Sequence, residues 1–204
     1  MEEASAYLQS IIAPFAGLTE KDISLSLPYW RKRQIPKGNF YNKQNVVCKD
    51  LGIVIKGIFS VYYHDPETDE EKNIFFFSEG QFIVSFRSFI YQYPCNYYIE
   101  ALEDAEILYV PYHDLQNLYT DFKSWEHFGR ILAEHFFNQS QARAEAFQFL
   151  THEQRYLHLI NEHPNIMERI PSYHIASYLG IKNPSLSRIK KRIQDSNQNL
   201  KRLF

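Results

Sequence analysis

The chain has 204 residues, enough for one large domain or two small ones with real cores. Its 16 Phe and 15 Tyr exclude a disordered polymer, and its two cysteines, Cys48 and Cys95, are too few for a disulfide framework, so a reduced, cytoplasmic setting is expected. The net charge of −2 hides a split: residues 1–150 hold 13 Lys+Arg and 20 Asp+Glu (net −7), residues 151–204 hold 9 and 4 (net +5). Unless this is ordinary charge scatter, only the C-terminal part is built to face polyanions. The opening Met-Glu-Glu-Ala has no basic n-region, and no apolar run is long enough to span a bilayer, so neither a secretory signal nor a membrane partner is expected.

Residues 4–27 read as a helical lead-in with Tyr7, Leu8, Ile11 and Ile12 on one side, interrupted by Pro14 and Gly17 and resumed after a Thr19 cap. Residues 29–111 change character. Short β-rich runs (29–35, 51–56, 58–64, 72–77, 97–102 and 107–110) alternate with turn residues such as Pro36-Lys-Gly38, Lys56-Gly57 and Ser78-Glu-Gly80. That spacing predicts a β-barrel or β-roll rather than a parallel α/β sheet.

A helical period returns after residue 112. Following a short helix at 114–118, a segment from about Trp125 to Leu150 contains no Pro, and Trp125, Phe128, Leu132 and Phe136 recur at three- and four-residue steps. A helix of roughly 25 residues spans about 38 Å. That length favours pairing with a second subunit over simple packing on its own barrel. Thr151-His-Glu-Gln154 reads as a capping box, Pro164 as the stop of the helix it opens, and Pro171 as the entry to a final hairpin.

The hairpin at 172–189 carries the most information. Ile175, Leu179 and Ile181 face Leu186 and Ile189 across a turn at Gly180, with the small Ala176 where the helices cross. Gly180 suits a left-handed helix end, Asn183 an N-cap, and Pro184 the first turn of a new helix. This is the pattern of a helix-turn-helix whose second helix enters the DNA major groove. Its exposed side reads Ser185, Arg188, Lys191 and Arg192, with Lys190 beside them. An ordinary αα-hairpin can show the same spacing, which leaves open a β-roll interaction protein with a degenerate hairpin. An enzyme finds little support, because metal catalysis on a barrel needs clustered His and carboxylates and the strands offer only His64, with His113 just after them.

In this order the elements resemble the Crp/Fnr-type transcriptional regulators. The resemblance is carried by Phe75-Phe-Phe-Ser-Glu-Gly80-Gln-Phe82-Ile83, by Tyr98-Ile-Glu-Ala-Leu-Glu-Asp-Ala-Glu-Ile-Leu108, and by Ile175-Ala-Ser-Tyr-Leu-Gly-Ile181 with Ser185-Leu-Ser-Arg-Ile189. It implies an α+β architecture: a cyclic-nucleotide-binding-like β-roll sensor (1–111), connecting and dimerisation helices (112–150), and a winged-helix-like helix-turn-helix (151–204). It further implies a homodimer on palindromic double-stranded DNA, a contact with RNA polymerase and a small-molecule effector. Ser172, Tyr173, Lys182, Lys190 and Lys191 would meet phosphates, and Asn183, Ser185 and Arg188 would enter the groove.

Two departures stand out. The family's cyclic-nucleotide cassette uses a Glu, an Arg and a Ser or Thr. The corresponding positions here are Ser85, Cys95 and Asn96, in a pocket expected to include Phe82, Ile83 and a nearby Arg87. Without the bidentate Arg, ordinary cyclic AMP binding is disfavoured. Two cysteines likewise cannot ligate an iron–sulfur cluster, so the cofactor is not identified. Residues 194–204 are too few for a full two-stranded wing, and Pro184 stands where an acidic base-reading residue is common.

Overall fold

The computed structural model describes residues 2–162 and 168–201. Helix α1 (Glu2–Ala16) buries Leu8, Ile12 and Ala16. Pro14 does not interrupt it, because a proline in the last turn forfeits little before the helix ends at Gly17 (φ 68°). Helix α2 (Glu20–Ser26) opens with the expected Thr19 cap, closed into a box by Asp22.

Eight strands follow: β1 (Arg31–Ile35), β2 (Phe40–Asn42), β3 (Asp50–Lys56), β4 (Phe59–Asp65), β5 (Glu70–Phe77), β6 (Phe82–Ile83), β7 (Tyr98–Ala101) and β8 (Ala105–Pro111). They form two antiparallel sheets, β1-β8-β3-β6 and β2-β7-β4-β5. The sheets share one core containing Ile53, Phe59, Ile99 and Ile107. The short β2 and β6 had no legible run of their own, and a six-residue helix α3 (Phe86–Tyr91) follows β6. Gly57 turns β3 into β4 at φ 105°. A Cβ there would sit 2.6 Å from that of Ala105, so no other residue fits.

Helix α4 (Tyr112–Asp121) leads into the long helix α5 (Lys123–Phe149). The stripe Trp125, Phe128, Leu132 and Phe136 is buried against the chain's own roll, not held for a second subunit. Phe128 packs edge-on to Phe15 and Phe82, and Phe128→Ala should cost about 3–5 kcal/mol.

Helix α6 (His152–Glu162) starts at the predicted box: Thr151 Oγ1 accepts from the Gln154 N–H, and Gln154 accepts from the Thr151 N–H. The stop expected at Pro164 lies outside the described residues. Helices α7 (Ser172–Leu179) and α8 (Asn183–Lys201) complete the chain. Residues 194–201 continue α8, so the described part of the short segment considered for a wing is helical.

Candidate functional site

The hairpin forms as its sequence requires. Gly180 adopts φ 69°, and the Ile181 N–H reaches back to the Ala176 carbonyl at 2.9 Å, ending α7 in a Schellman-type turn. Ile175, Ala176 and Leu179 are buried against Leu186 and Ile189. The start of α8 differs by one residue from the expected one. The Lys182 carbonyl accepts from the Ser185 and Leu186 N–H groups, so Lys182 is the cap, and Asn183 and Pro184 are the first two helical residues.

Among the candidate DNA-facing residues, Lys182, Ser185 and Arg188 share a shallow groove with Glu153 and Arg192. Arg188 is exposed and folds over its own helix, its Nη2 3.3 Å from Ser185 Oγ. Asn183 and Lys191 are exposed, and Ser185 is half-buried. Lys190 Nζ donates to Ser172 Oγ at 3.4 Å, joining the start of α7 to α8. Arg192 pairs with Glu153 of α6. Tyr173 is 55% exposed, and burial with the nearby Glu71 and Glu100 raises its phenol.

The hairpin also docks on the roll, through residues that sequence reasoning passed over. Strand β5 is a sheet edge, and its free backbone is met by α7: Ser177 Oγ donates to the Glu71 carbonyl (2.8 Å) and accepts from the Asn73 N–H (3.0 Å). His174 is buried beside Asn73. Ile58 and Phe76 of the roll join the hairpin core. Arg169 bridges Glu79 (2.7 Å) and Glu103 of the roll. Although burial pushes Glu79 up, hydrogen bonds from Arg169 and the Gly57 N–H hold it at about 2.

A second feature lies between the roll, α3 and α5: a cavity of about 750 Å³ walled largely by aromatic side chains, including Phe75, Phe86, Phe136 and Phe137. Of the candidate pocket residues, Ser85 and Arg87 line it. Cys95 lies just behind, buried, with Sγ 3.0 Å from Ser85 Oγ and accepting the Tyr97 N–H at 3.2 Å. Asn96 is exposed. Phe82 and Ile83 belong to the core, where Phe82 packs 4.7 Å from Phe15. Burial pushes the neighbouring Cys48 thiol up to about 12. Among the described residues, no group of three or more His, Cys, Asp or Glu could hold a metal ion, and no helix is long and apolar enough to cross a membrane.

Residues 32–122 match the family model of the cyclic nucleotide-binding domain. No curated protein sequence matches the chain. Among solved structures, FixK2 from Bradyrhizobium japonicum superposes with a TM-score of 0.71 at 12% identity, over 82% of this chain and 86% of that one. The c-di-GMP responsive global regulator CLP of Xanthomonas campestris gives 0.65 at 17%, over 88% and 93%. The catabolite activator protein of Thermus thermophilus gives 0.56 at 17%, over 90% and 87%. At these identities the likeness is one of fold. The chain thus carries a region that matches the cyclic nucleotide-binding domain, inside a fold similar over most of its length to that of Crp/Fnr-type regulators.

Proposed function

We propose that this protein is a sequence-specific, DNA-binding transcriptional regulator that works as a homodimer. The observation that carries the reading is the hairpin. Two helices lock at a left-handed Gly180 over an apolar core shared with α6 and the edge of the roll, and the second presents the exposed Arg188 and Lys191 beside Lys182 and Asn183. A guanidinium fork on the first turns of such a helix suits guanine O6 and N7, and the lysines suit phosphates. The contact between Arg188 and Ser185 is weak enough to be exchanged for a base.

The dimer reading rests on the outer side of α5. Ala133, Phe137, Ser140 and Ala144 follow at three- and four-residue steps and are exposed, Phe137 by 67%. This is a narrow seam of the coiled-coil kind, distinct from the stripe that faces the roll. The same exposed residues line the 750 Å³ cavity. A partner helix on the seam would therefore also close the cavity, and an effector inside it would bias how the helices pair and how the two reading heads are spaced. On this reading, residues 1–111 sense, 112–150 connect and 151–204 read. An effector that fits the cavity is largely apolar to match its aromatic walls, with Arg87 and Arg143 as the cations on the lining.

Selection of tightly bound fragments from genomic DNA tests the proposal. The expected result is a two-fold symmetric motif, with binding that weakens steeply as salt rises. Recovery of no motif, with equal affinity for scrambled duplexes, would favour the interaction-protein reading instead.

A further inference from the structure

A smaller cavity, about 330 Å³, lies where β5, α5, α6 and α7 meet. It is separate from the DNA-facing side of the hairpin. Two arginines enter it, Arg143 from α5 and Arg155 from α6, and none of the described residues around it is acidic. Both guanidinium groups lie on the Phe147 ring, at 4.8 and 4.6 Å from its centroid.

Their hydrogen bonds go to neutral acceptors. Arg143 Nη2 donates to the Asn73 and Tyr178 carbonyls at 3.2 and 3.3 Å. Arg155 donates to the Phe147, Leu150 and Leu179 carbonyls. Its Nε is buried and has no hydrogen-bond partner. Four of these carbonyls lie at the ends of α5 and α7, where helix dipoles favour cations, and the fifth, Asn73, is on the edge strand β5. They do not balance two positive charges. No carboxylate among the described residues forms a salt bridge with either arginine. Burial lowers Arg143, the Tyr178 side chain partly offsets this, and the like charge of Arg155 lowers it again. Two half-buried, mutually repelling cations without a counter-charge are costly, and an anion between them relieves that cost.

We infer that this junction is a binding site for a small oxyanion, a phosphate or carboxylate group, held by Arg143 and Arg155 with His158 and Tyr178 at the wall. The volume is at the small end of the range for small-molecule sites, which limits the ligand to a phosphate-sized ion or a compact acid. Guanidinium groups bind both oxyanion types through paired N–H donors. The inference does not depend on DNA binding.

The test is calorimetry on the full chain with inorganic phosphate, pyrophosphate and succinate, each at constant ionic strength. Saturable binding of at least one is expected, and the three arms separate phosphate from carboxylate recognition. Arg155→Gln should weaken it by about tenfold or more. Because Arg155 also ties down helix ends, Ala142→Glu provides the second variant. Ala142 lies on exposed helix surface at the cavity, where a glutamate supplies the missing charge without removing a contact. It should abolish binding while the far-UV spectrum is unchanged. Gln148→Glu adds the same charge outside the cavity and should bind as wild type. Failure of all three anions to bind saturably would overturn the inference, as would wild-type affinity in Ala142→Glu.

Discussion

The side-chain amide of Asn73 donates to Nδ1 of His174 across 3.2 Å, joining strand β5 to helix α7 in a buried contact. The direction of the bond is set from behind, because Asn73 Oδ1 accepts from the Ser60 hydroxyl and leaves only N–H groups to face the ring. His174 must therefore be neutral to make the bond, and burial lowers it to about 4.

This contact predicts acid sensitivity. The ordinary histidine value is about 6.5, so the unfolded chain takes up a proton that the native one refuses. Stability from this group is complete above pH 6.5 and is lost as pH falls toward 4, by about 2 kcal/mol after allowance for solvent near the ring. Thermal melts between pH 4 and 8 should show that slope in the wild type and a flatter one in His174→Gln.

Arg169 is the second tie between the roll and the C-terminal helices, through Glu79 and Glu103. All three side chains are about a third exposed, so Arg169→Ala should cost only about 1 kcal/mol. Glu79 is held at about 2, below the usual value, so its contribution is present above about pH 4.5 and disappears as pH falls toward 2. The measurable sign is faster proteolysis around residues 168–171 in the variant at neutral pH, and a smaller gap between variant and wild type at pH 3.

On DNA, Arg188→Ala and Lys191→Ala should behave differently. Loss of Arg188 should cost about 1–3 kcal/mol on the selected site and relax the sequence preference. Loss of Lys191 should weaken cognate and scrambled duplexes alike and lower the salt slope by about one. Fluorescence anisotropy over a salt series distinguishes the two, and identical behaviour would remove Arg188 from base reading.

The α5 seam is tested at Phe137. Its ring is 67% exposed in one chain, so Phe137→Arg should leave the fold of each chain intact, as read by far-UV circular dichroism. If the seam is the dimer contact, sedimentation should show the mass halved in the variant. A dimer that survives the substitution would place the contact elsewhere.

Gly180→Ala probes the hairpin turn. The backbone sits at φ 69°, and a Cβ would meet Phe147 Cε1 at 3.3 Å. The expected loss is about 1–2 kcal/mol, and Gly180→Asn should lose less, since asparagine tolerates the left-handed region. Urea titrations of the three proteins provide the comparison.

Much of the element order was legible because its signals are local. The Thr19 and Thr151 caps, the Gly180 turn and the three-and-four spacing on α5 each act within one or two helical turns. Where local reading misjudged, the physics was local too. Pro14 fell in a last turn that tolerates it, and β2 and β6 are too short to show an alternating pattern. The periodic stripe on α5 announced burial but not against what, since a helix shows the same spacing on its own barrel or on a partner.

The sequence by itself determined that a β-roll, a long helix and a Gly-cornered hairpin follow in order, with the positive charge at the end. Only the tertiary structure decided that Asn73 meets His174 and Ser177, over 100 residues away, or that Arg143 and Arg155 share one ring with no carboxylate paired to them among the described residues. Caps and turns are encoded between neighbours, whereas the docking of α7 on a sheet edge and the pairing of two cations depend on which surfaces the folded chain brings together.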